Sequence, residues 1–125
     1  MDLSSVFSLD GKVALITGAS KGIGFSIAEI FAAAGAKVVI SSRKQDVLDE
    51  QALQLNSKGY EVTPIACNVG NMAELSVLVE KTVEKYGTID ILVNNAASNP
   101  VFGPVHETTL EAFDKIMNVN VKAAF

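Results

Sequence analysis

Three glycines spaced Gly-x-x-x-Gly-x-Gly follow a short apolar run and precede an amphipathic pattern. They are Gly18, Gly22 and Gly24, and the apolar run covers residues 13–16. A buried strand, a glycine turn and a helix in this order form the cradle in which α/β proteins hold a dinucleotide pyrophosphate. Gly18 would allow the tight exit from the strand, Gly22 the approach of backbone to phosphate, and Gly24 the packing of the helix on the sheet. A ligand-free turn is the alternative, but glycines at all three positions favour the cradle.

Strand and helix patterns alternate along the rest of the chain. Strands are predicted at 12–17, 37–41, 61–66 and 89–93, and helices at 23–34, 44–56, 72–86 and from 109 to the last residue. We expect capping boxes at the last two helices, formed by Asn71 with Glu74 and by Thr108 with Glu111. This βαβαβαβα order with short connections predicts an α/β fold, a Rossmann-type doubly wound parallel sheet with strand order 3-2-1-4.

The fourth strand and the fourth helix are left uncovered by this arrangement. A doubly wound sheet normally continues beyond a fourth strand, and the last helical pattern is still running at Phe125. We therefore expect residues 1–125 to be the N-terminal cofactor-binding part of a single Rossmann-fold domain, truncated within helix four. An open strand edge and an apolar helix end favour association with more chain.

Charge and composition exclude several classes of function. The net charge is −4 with no basic stripe, which argues against a nucleic-acid partner. No apolar run is long enough to span a bilayer, so we expect no membrane partner. Cys67 is the single cysteine and His106 the single histidine. We therefore predict no disulfide, no metal site and no Ser-His-Asp triad, and a cytoplasmic location, with organelle targeting by a missing C-terminus left open.

The residues after the second strand predict which dinucleotide is bound. A carboxylate at that place would bond the adenosine ribose of NAD and repel a 2′-phosphate. Ser42 and Arg43 stand there instead, and arginine binds phosphate bidentately. Lys21 in the glycine turn would be a second cation, and Ser20 a hydroxyl donor. We predict NADP(H) as the cofactor; the alternative is that both cations are ordinary solvated surface charges.

Two motifs together resemble the short-chain dehydrogenase/reductase family. Thr17-Gly18-Ala19-Ser20-Lys21-Gly22-Ile23-Gly24 is similar to its cofactor motif, and Asn94-Asn95-Ala96-Ala97 to its second signature, usually Asn-Asn-Ala-Gly. The resemblance covers essentially the whole chain. Residues 39–45 and 95–100 look closest to the NADP-dependent carbonyl and retinol reductases of that family.

The resemblance implies which residues meet the cofactor. Asn95 would stabilise the strand ends, Ala96 and Ala97 would contact cofactor, and Asn68 and Val69 would lie near the adenine, where the family usually has an acid at the first position. The predicted cofactor-binding set is Gly18, Ser20, Lys21, Gly22, Ile23, Gly24, Ser42, Arg43, Asn68, Val69, Asn95, Ala96 and Ala97.

Asn120 is the one catalytic candidate in the chain. It lies in an apolar stripe at helical spacing, Phe113, Ile116, Met117, Asn120, Val121 and Ala124, whereas Asn118 lies off that stripe. The resemblance implies that Asn120 helps to hold a water and a lysine of a proton relay. The alternative is a buried asparagine that bonds a neighbouring backbone carbonyl.

The implied activity is hydride transfer between nicotinamide and a carbonyl or alcohol substrate. The family's catalytic serine, tyrosine and lysine would lie beyond residue 125, so we expect this segment to bind cofactor without turnover. The resemblance also implies a homo-oligomer, a dimer or tetramer. The alternative is a non-catalytic dinucleotide-binding module or a truncated paralogue.

Overall fold

One four-stranded parallel sheet organises the chain, with order β3-β2-β1-β4. The computed structural model describes residues 2–125, except for the side chain of Leu3. The strands are β1 Val13–Thr17, β2 Lys37–Ser41, β3 Glu61–Pro64 and β4 Ile91–Val93. The helices are α1 Leu3–Val6, α2 Gly22–Ala33, α3 Gln45–Asn56, α4 Met72–Tyr86 and α5 Leu110–Met117. The predicted fold class and strand order are confirmed, whereas α1 was not predicted.

The two central strands are apolar on both faces because helices cover both faces. Ala14 and Ile16 of β1 pack with β2 and with the buried faces of α2 and α3. Leu15 of β1 and Val39 of β2 point to the other face, where they meet Leu78 of α4. Residues of β1 pair in register with β2, as in Thr17 with Ser41, so both strands end at the same edge.

The third strand is shorter than predicted, but the chain continues in line with it. β3 ends at Pro64, which an edge strand tolerates because the missing N–H faces no partner strand. Beyond it, the Ile65 N–H donates to Ile40 O at 3.0 Å and the Cys67 N–H to Ser42 O at 2.8 Å. The residues after Cys67 are therefore held beside the end of β2.

The N-terminal caps of α4 and α5 correct the predicted capping boxes. The side chain of Asn71 accepts from the Ala73 and Glu74 N–H groups, as predicted. Glu74, however, takes the Asn68 N–H at 2.6 Å rather than that of Asn71. Thr109 caps α5 in place of Thr108, because Thr108 donates its N–H to Val105 O and closes a preceding 3₁₀ turn.

The fourth predicted helix changes its geometry halfway. α5 ends at Met117 and continues as one π-helical turn, Asn118–Lys122, in which the Ala123 N–H donates to Asn118 O at 2.9 Å. A π turn closes at i→i+5, so it rotates later residues away from the 3.6-residue period. The predicted stripe is therefore interrupted after Met117. Three of its members, Phe113 and Met117 before the turn and Val121 within it, are exposed. In α4, Val79 and Val83 are also exposed.

No helix within residues 2–125 combines the length and the apolar character needed to cross a bilayer.

Candidate dinucleotide-binding site

The glycine turn packs tightly against the end of β4 at two of its three glycines. A Cβ on Gly18 would lie 2.9 Å from Ala96 Cα, and a Cβ on Gly24 would lie 2.5 Å from both Asn95 Nδ2 and Gly18 O. Gly22 differs, since its φ is +60° and a Cβ there would meet nothing within 4 Å. Gly18 and Gly24 thus close the turn, while Gly22 keeps its backbone open toward the space in front of α2.

The first turn of α2 faces that open space without a side-chain cap. Lys21 occupies the N-cap position and makes no capping hydrogen bond, and the first turn holds no acidic residue. The first N–H groups of a helix have no intrahelical acceptors, and their partial positive charge favours an anion. An incoming phosphate would meet donors here and no competing carboxylate.

Thr17 and Asn95 join the ends of β1 and β4. Thr17 Oγ1 accepts from the Asn95 N–H at 3.2 Å and from the Ala96 N–H at 3.1 Å, and donates to Val93 O at 3.4 Å. Asn95 Nδ2 donates to Thr17 O at 3.1 Å and to Gly18 O at 3.0 Å. Asn95 therefore bridges the strand ends; its contact with cofactor stays a prediction. Sequence reasoning missed Thr17, although a buried hydroxyl ending an apolar strand was a usable signal.

A cavity of about 570 Å³ lies in front of these strand ends. Its walls contain every predicted cofactor-binding residue except Gly24, which is buried behind the turn. Four further residues complete the lining and were not predicted to bind cofactor: Cys67, Ser98, Lys115 and Val119. Lys115 and Val119 are four residues apart, so they lie on one face of the last helical segment.

The charged groups on the cavity walls are all positive. Lys21, Arg43 and Lys115 line the cavity and no aspartate or glutamate does. All three are exposed, and none forms an ion pair with a carboxylate of residues 2–125. On a chain with net charge −4, this local excess of positive charge favours an anionic ligand with several phosphates.

Cys67 lines the cavity but is not a reactive thiol. Its side chain is 2% exposed, and burial raises the pKa of the thiol, with Glu74 adding to the shift. The thiolate is the nucleophilic form, so a raised pKa lowers the reactivity at neutral pH.

We expect Cys67 to resist alkylation by iodoacetamide at pH 7.5 in the native protein and to react fully after denaturation. Because the thiol is neutral and shielded, labelling followed by intact mass should be slower by at least about 100-fold than for the unfolded chain. Comparable rates in the native and denatured states would contradict this assignment.

Asn120 and Asn118 are placed differently from the prediction. Asn120 is exposed, and its amide pairs with both backbone groups of Ser98, at 2.7 Å to the N–H and 3.0 Å to the carbonyl oxygen. Asn118, which lies off the predicted apolar stripe, is half-buried and donates from Nδ2 to Gly70 O at 2.7 Å. The π turn begins at Asn118 and breaks the 3.6-residue spacing on which the predicted position of Asn120 rested. A catalytic role for Asn120 stays a prediction.

A second cavity, of about 740 Å³, lies along β4 between α4 and the last residues. Its lining is dominated by apolar side chains of those elements, and it shares Val69, Ala96 and Val119 with the first cavity. Its lining lacks the cluster of cations found in the first cavity, so it is less suited to binding a phosphate. Within residues 2–125 no three His, Cys, Asp or Glu side chains stand close enough to hold a metal ion.

Comparisons with known proteins agree with this geometry. A family model described as short chain dehydrogenase matches residues 12–125. The chain is 48% identical over 116 residues to "Short-chain dehydrogenase/reductase SDRA" of Arabidopsis thaliana, covering 93% of this chain and 46% of that protein. The chain therefore spans less than half the length of this relative.

Solved structures give the same result. A short-chain type dehydrogenase/reductase from Mycobacterium marinum superposes with a TM-score of 0.92 at 36% identity, covering 100% of this chain and 50% of that one. L-Sorbose reductase from Gluconobacter frateurii, complexed with NADPH and L-sorbose, has a TM-score of 0.89 at 38% identity over 94% of this chain and 45% of its own. Complexes with NADP or NADPH recur among the similar structures.

Proposed function

Because the chain belongs to the short-chain dehydrogenase family, whose members are oxidoreductases, we propose that it is the cofactor-binding part of an NADP(H)-dependent enzyme. The cofactor supplies or accepts a hydride, and the substrate is a small carbonyl compound or alcohol. The observation that carries the proposal is the cavity of about 570 Å³, with its uncapped helix terminus, open Gly22 and three cations.

Different residues of the cavity would bind different parts of the cofactor. The N–H groups at the start of α2 and the open backbone at Gly22 would hold the pyrophosphate. Arg43 follows β2, where the adenosine ribose of a dinucleotide lies in this fold, and would bind the 2′-phosphate together with Lys21. The small side chains of Ala96 and Ala97 leave room for the ribose next to the nicotinamide.

Asn120 is the proposed contribution of this chain to the reaction. The pairing of its side chain with both backbone groups of Ser98 fixes the loop after β4 to the π turn. That loop begins with the residues proposed to contact cofactor, so Asn120 would orient them. Tyr86 is an unsuitable proton donor, because its hydroxyl lies 2.7 Å from Thr63 Oγ1 and burial raises its pKa.

The location, oligomeric state and partners of the whole protein are also proposals. We infer a cytoplasmic homo-oligomer with no nucleic-acid or membrane partner. The exposed apolar side chains of α5 and its π turn, Phe113, Met117 and Val121, support association through this face.

Replacing Arg43 with Ala is the test of the cofactor assignment. In the full natural polypeptide we expect the Kd for NADPH to rise about 10- to 100-fold, since a charge-assisted hydrogen bond contributes about 1.5–3 kcal/mol. The Kd for NADH should change less than about threefold, because NADH lacks the 2′-phosphate. Both constants are measured by isothermal titration calorimetry.

Lys44→Ala is the matched control for that experiment. Lys44 neighbours Arg43 and is exposed, but does not line the cavity, so this variant should bind both cofactors as the parent does. An equal loss of NADPH and NADH affinity in Arg43→Ala would refute the NADP(H) assignment. Tight NADPH binding with no turnover of any ketone by the full polypeptide would favour the non-catalytic module instead.

A further inference from the structure

The loop after β3 forms a tight turn whose own hydrogen bonds connect it only to itself and to α4. The Asn71 N–H donates to Asn68 O at 2.9 Å, and the Gly70 N–H donates to Asn68 Oδ1 at 3.0 Å. The Asn68 N–H donates to Glu74 Oε2 at 2.6 Å. None of these three bonds connects the loop to α5 or to its π turn, which lie on the other side of the cavity.

Asn118 is the residue that connects the loop to the π turn. Its Nδ2 donates to Gly70 O at 2.7 Å in a partly buried hydrogen bond. A Cβ on Gly70 would lie 3.2 Å from Asn118 Nδ2 and 3.5 Å from Val119 Cγ2, so the π turn packs directly against Gly70. Within residues 2–125, no other hydrogen bond joins α5 or its π turn to this loop. The position of the loop relative to the last helical segment therefore depends on one side chain.

Gly70 directly follows the residues that line the cavity at the adenosine end of the proposed cofactor. Asn68 and Val69 line the cavity after β3, the strand next to β2, at whose end Arg43 lies. The Val69 N–H and carbonyl form no hydrogen bond with any residue of 2–125, so both are free for a ligand. Gly70 is bonded through its N–H and its carbonyl, so these two bonds fix the direction in which the chain leaves Val69.

We infer that Asn118 is a positioning residue for the adenosine half of the dinucleotide, through its hydrogen bond to Gly70. This inference rests on the proposed function. Asn118 does not line the cavity, so it acts through the loop. Without its donor the Gly70 carbonyl loses its partner, and the loop samples conformations in which Asn68 and Val69 leave the binding position. The apparent Kd rises in inverse proportion to the fraction of protein in the binding-competent conformation.

Asn118→Asp tests the inference because it keeps the shape of the side chain but removes the donor. A carboxylate oxygen would then face the Gly70 carbonyl oxygen, and both are acceptors. The probe is adenosine 2′,5′-bisphosphate, the adenosine half of NADPH, titrated into the full natural polypeptide by isothermal titration calorimetry. We expect its Kd to rise about tenfold, and the Kd of NADPH to rise by the same factor, because NADPH contains the same half.

Asn56→Asp is the matched control, since it removes the same kind of hydrogen bond near the opposite end of β3. Asn56 Nδ2 donates to Val62 O at 2.9 Å, also in a partly buried bond, and Asn56 does not line the cavity. Both variants should unfold at lower urea concentrations than the parent protein. Asn56→Asp should nevertheless bind the bisphosphate with the parent Kd, because the loop after β3 keeps its connection to the π turn.

A parent-like Kd for the bisphosphate in Asn118→Asp would overturn the inference. An equal rise in both variants would also overturn it, because a general loss of stability would then explain the effect. If Asn118→Asp does not fold, Asn118→Ala removes the donor without adding a charge and decides by the same criteria, with an expected rise of at least about threefold. A parent protein that binds neither the bisphosphate nor NADPH would refute the proposed function instead.

Discussion

Replacing Gly24 with Ala is expected to destabilise the protein by about 3 kcal/mol and to abolish dinucleotide binding. The new Cβ would lie 2.5 Å from Asn95 Nδ2 and 2.5 Å from Gly18 O. The Gly18 carbonyl belongs to the backbone, and the Asn95 amide is held by two hydrogen bonds to the end of β1. Moving either group away from the new Cβ would therefore cost stability. The start of α2 must move outward, which opens the turn proposed to hold the pyrophosphate. Urea denaturation and NADPH titration of the full natural polypeptide measure the two effects.

Gly103→Ala is the control for that substitution. Its Cβ would approach only Glu107 Oε2, at an ordinary 3.8 Å, and Gly103 has no positive φ. Its effect on stability should stay within about 0.5 kcal/mol. A Gly24→Ala variant as stable as Gly103→Ala would mean that the turn is looser than the structure describes.

Replacing Thr17 with Val is expected to cost about 2 kcal/mol of stability. Valine keeps the shape but removes the hydroxyl that accepts from the Ala96 N–H at 3.1 Å. That N–H has no other acceptor within residues 2–125, whereas the Asn95 N–H keeps Val93 O at 3.1 Å. One partly buried donor is thus left unpaired. Chemical denaturation monitored by circular dichroism measures the loss of stability. The contacts of Ala96 with the glycine turn should weaken as well.

Ser41→Ala is the matched comparison, because Ser41 pairs in register with Thr17 and is also buried. Its hydroxyl has no hydrogen-bond partner within the described residues. Removing an unpaired buried hydroxyl should leave stability unchanged or raise it by up to about 1 kcal/mol. If both substitutions destabilise equally, hydrogen bonding does not explain the importance of Thr17.

The sheet and the glycine turn could be predicted because their signals are local. Apolar runs bounded by glycines identify buried parallel strands, and the Gly18, Gly22 and Gly24 spacing has meaning only between a strand and a helix. The predicted cofactor residues meet in one cavity for the same reason, since parallel strands end at one edge and the motifs follow those ends.

The end of the chain was harder to predict because its signals depend on geometry. The stripe that included Asn120 assumed 3.6 residues per turn, and one π-helical turn invalidates that assumption. None of the residue types at 118–122 predicts a π turn. The cap at Thr109 was missed for a related reason: adjacent threonines both suit the N-cap, and the preceding 3₁₀ turn decides between them.

The π turn has a mechanical consequence for the crevice beneath it. Two asparagines only two residues apart form hydrogen bonds to opposite walls of this crevice. Asn118 bonds to the loop after β3, and Asn120 bonds to the loop after β4. These loops border opposite ends of the space where an extended molecule would lie. The walls cannot separate without breaking one of these hydrogen bonds, so the width of the crevice is set by a single helical turn.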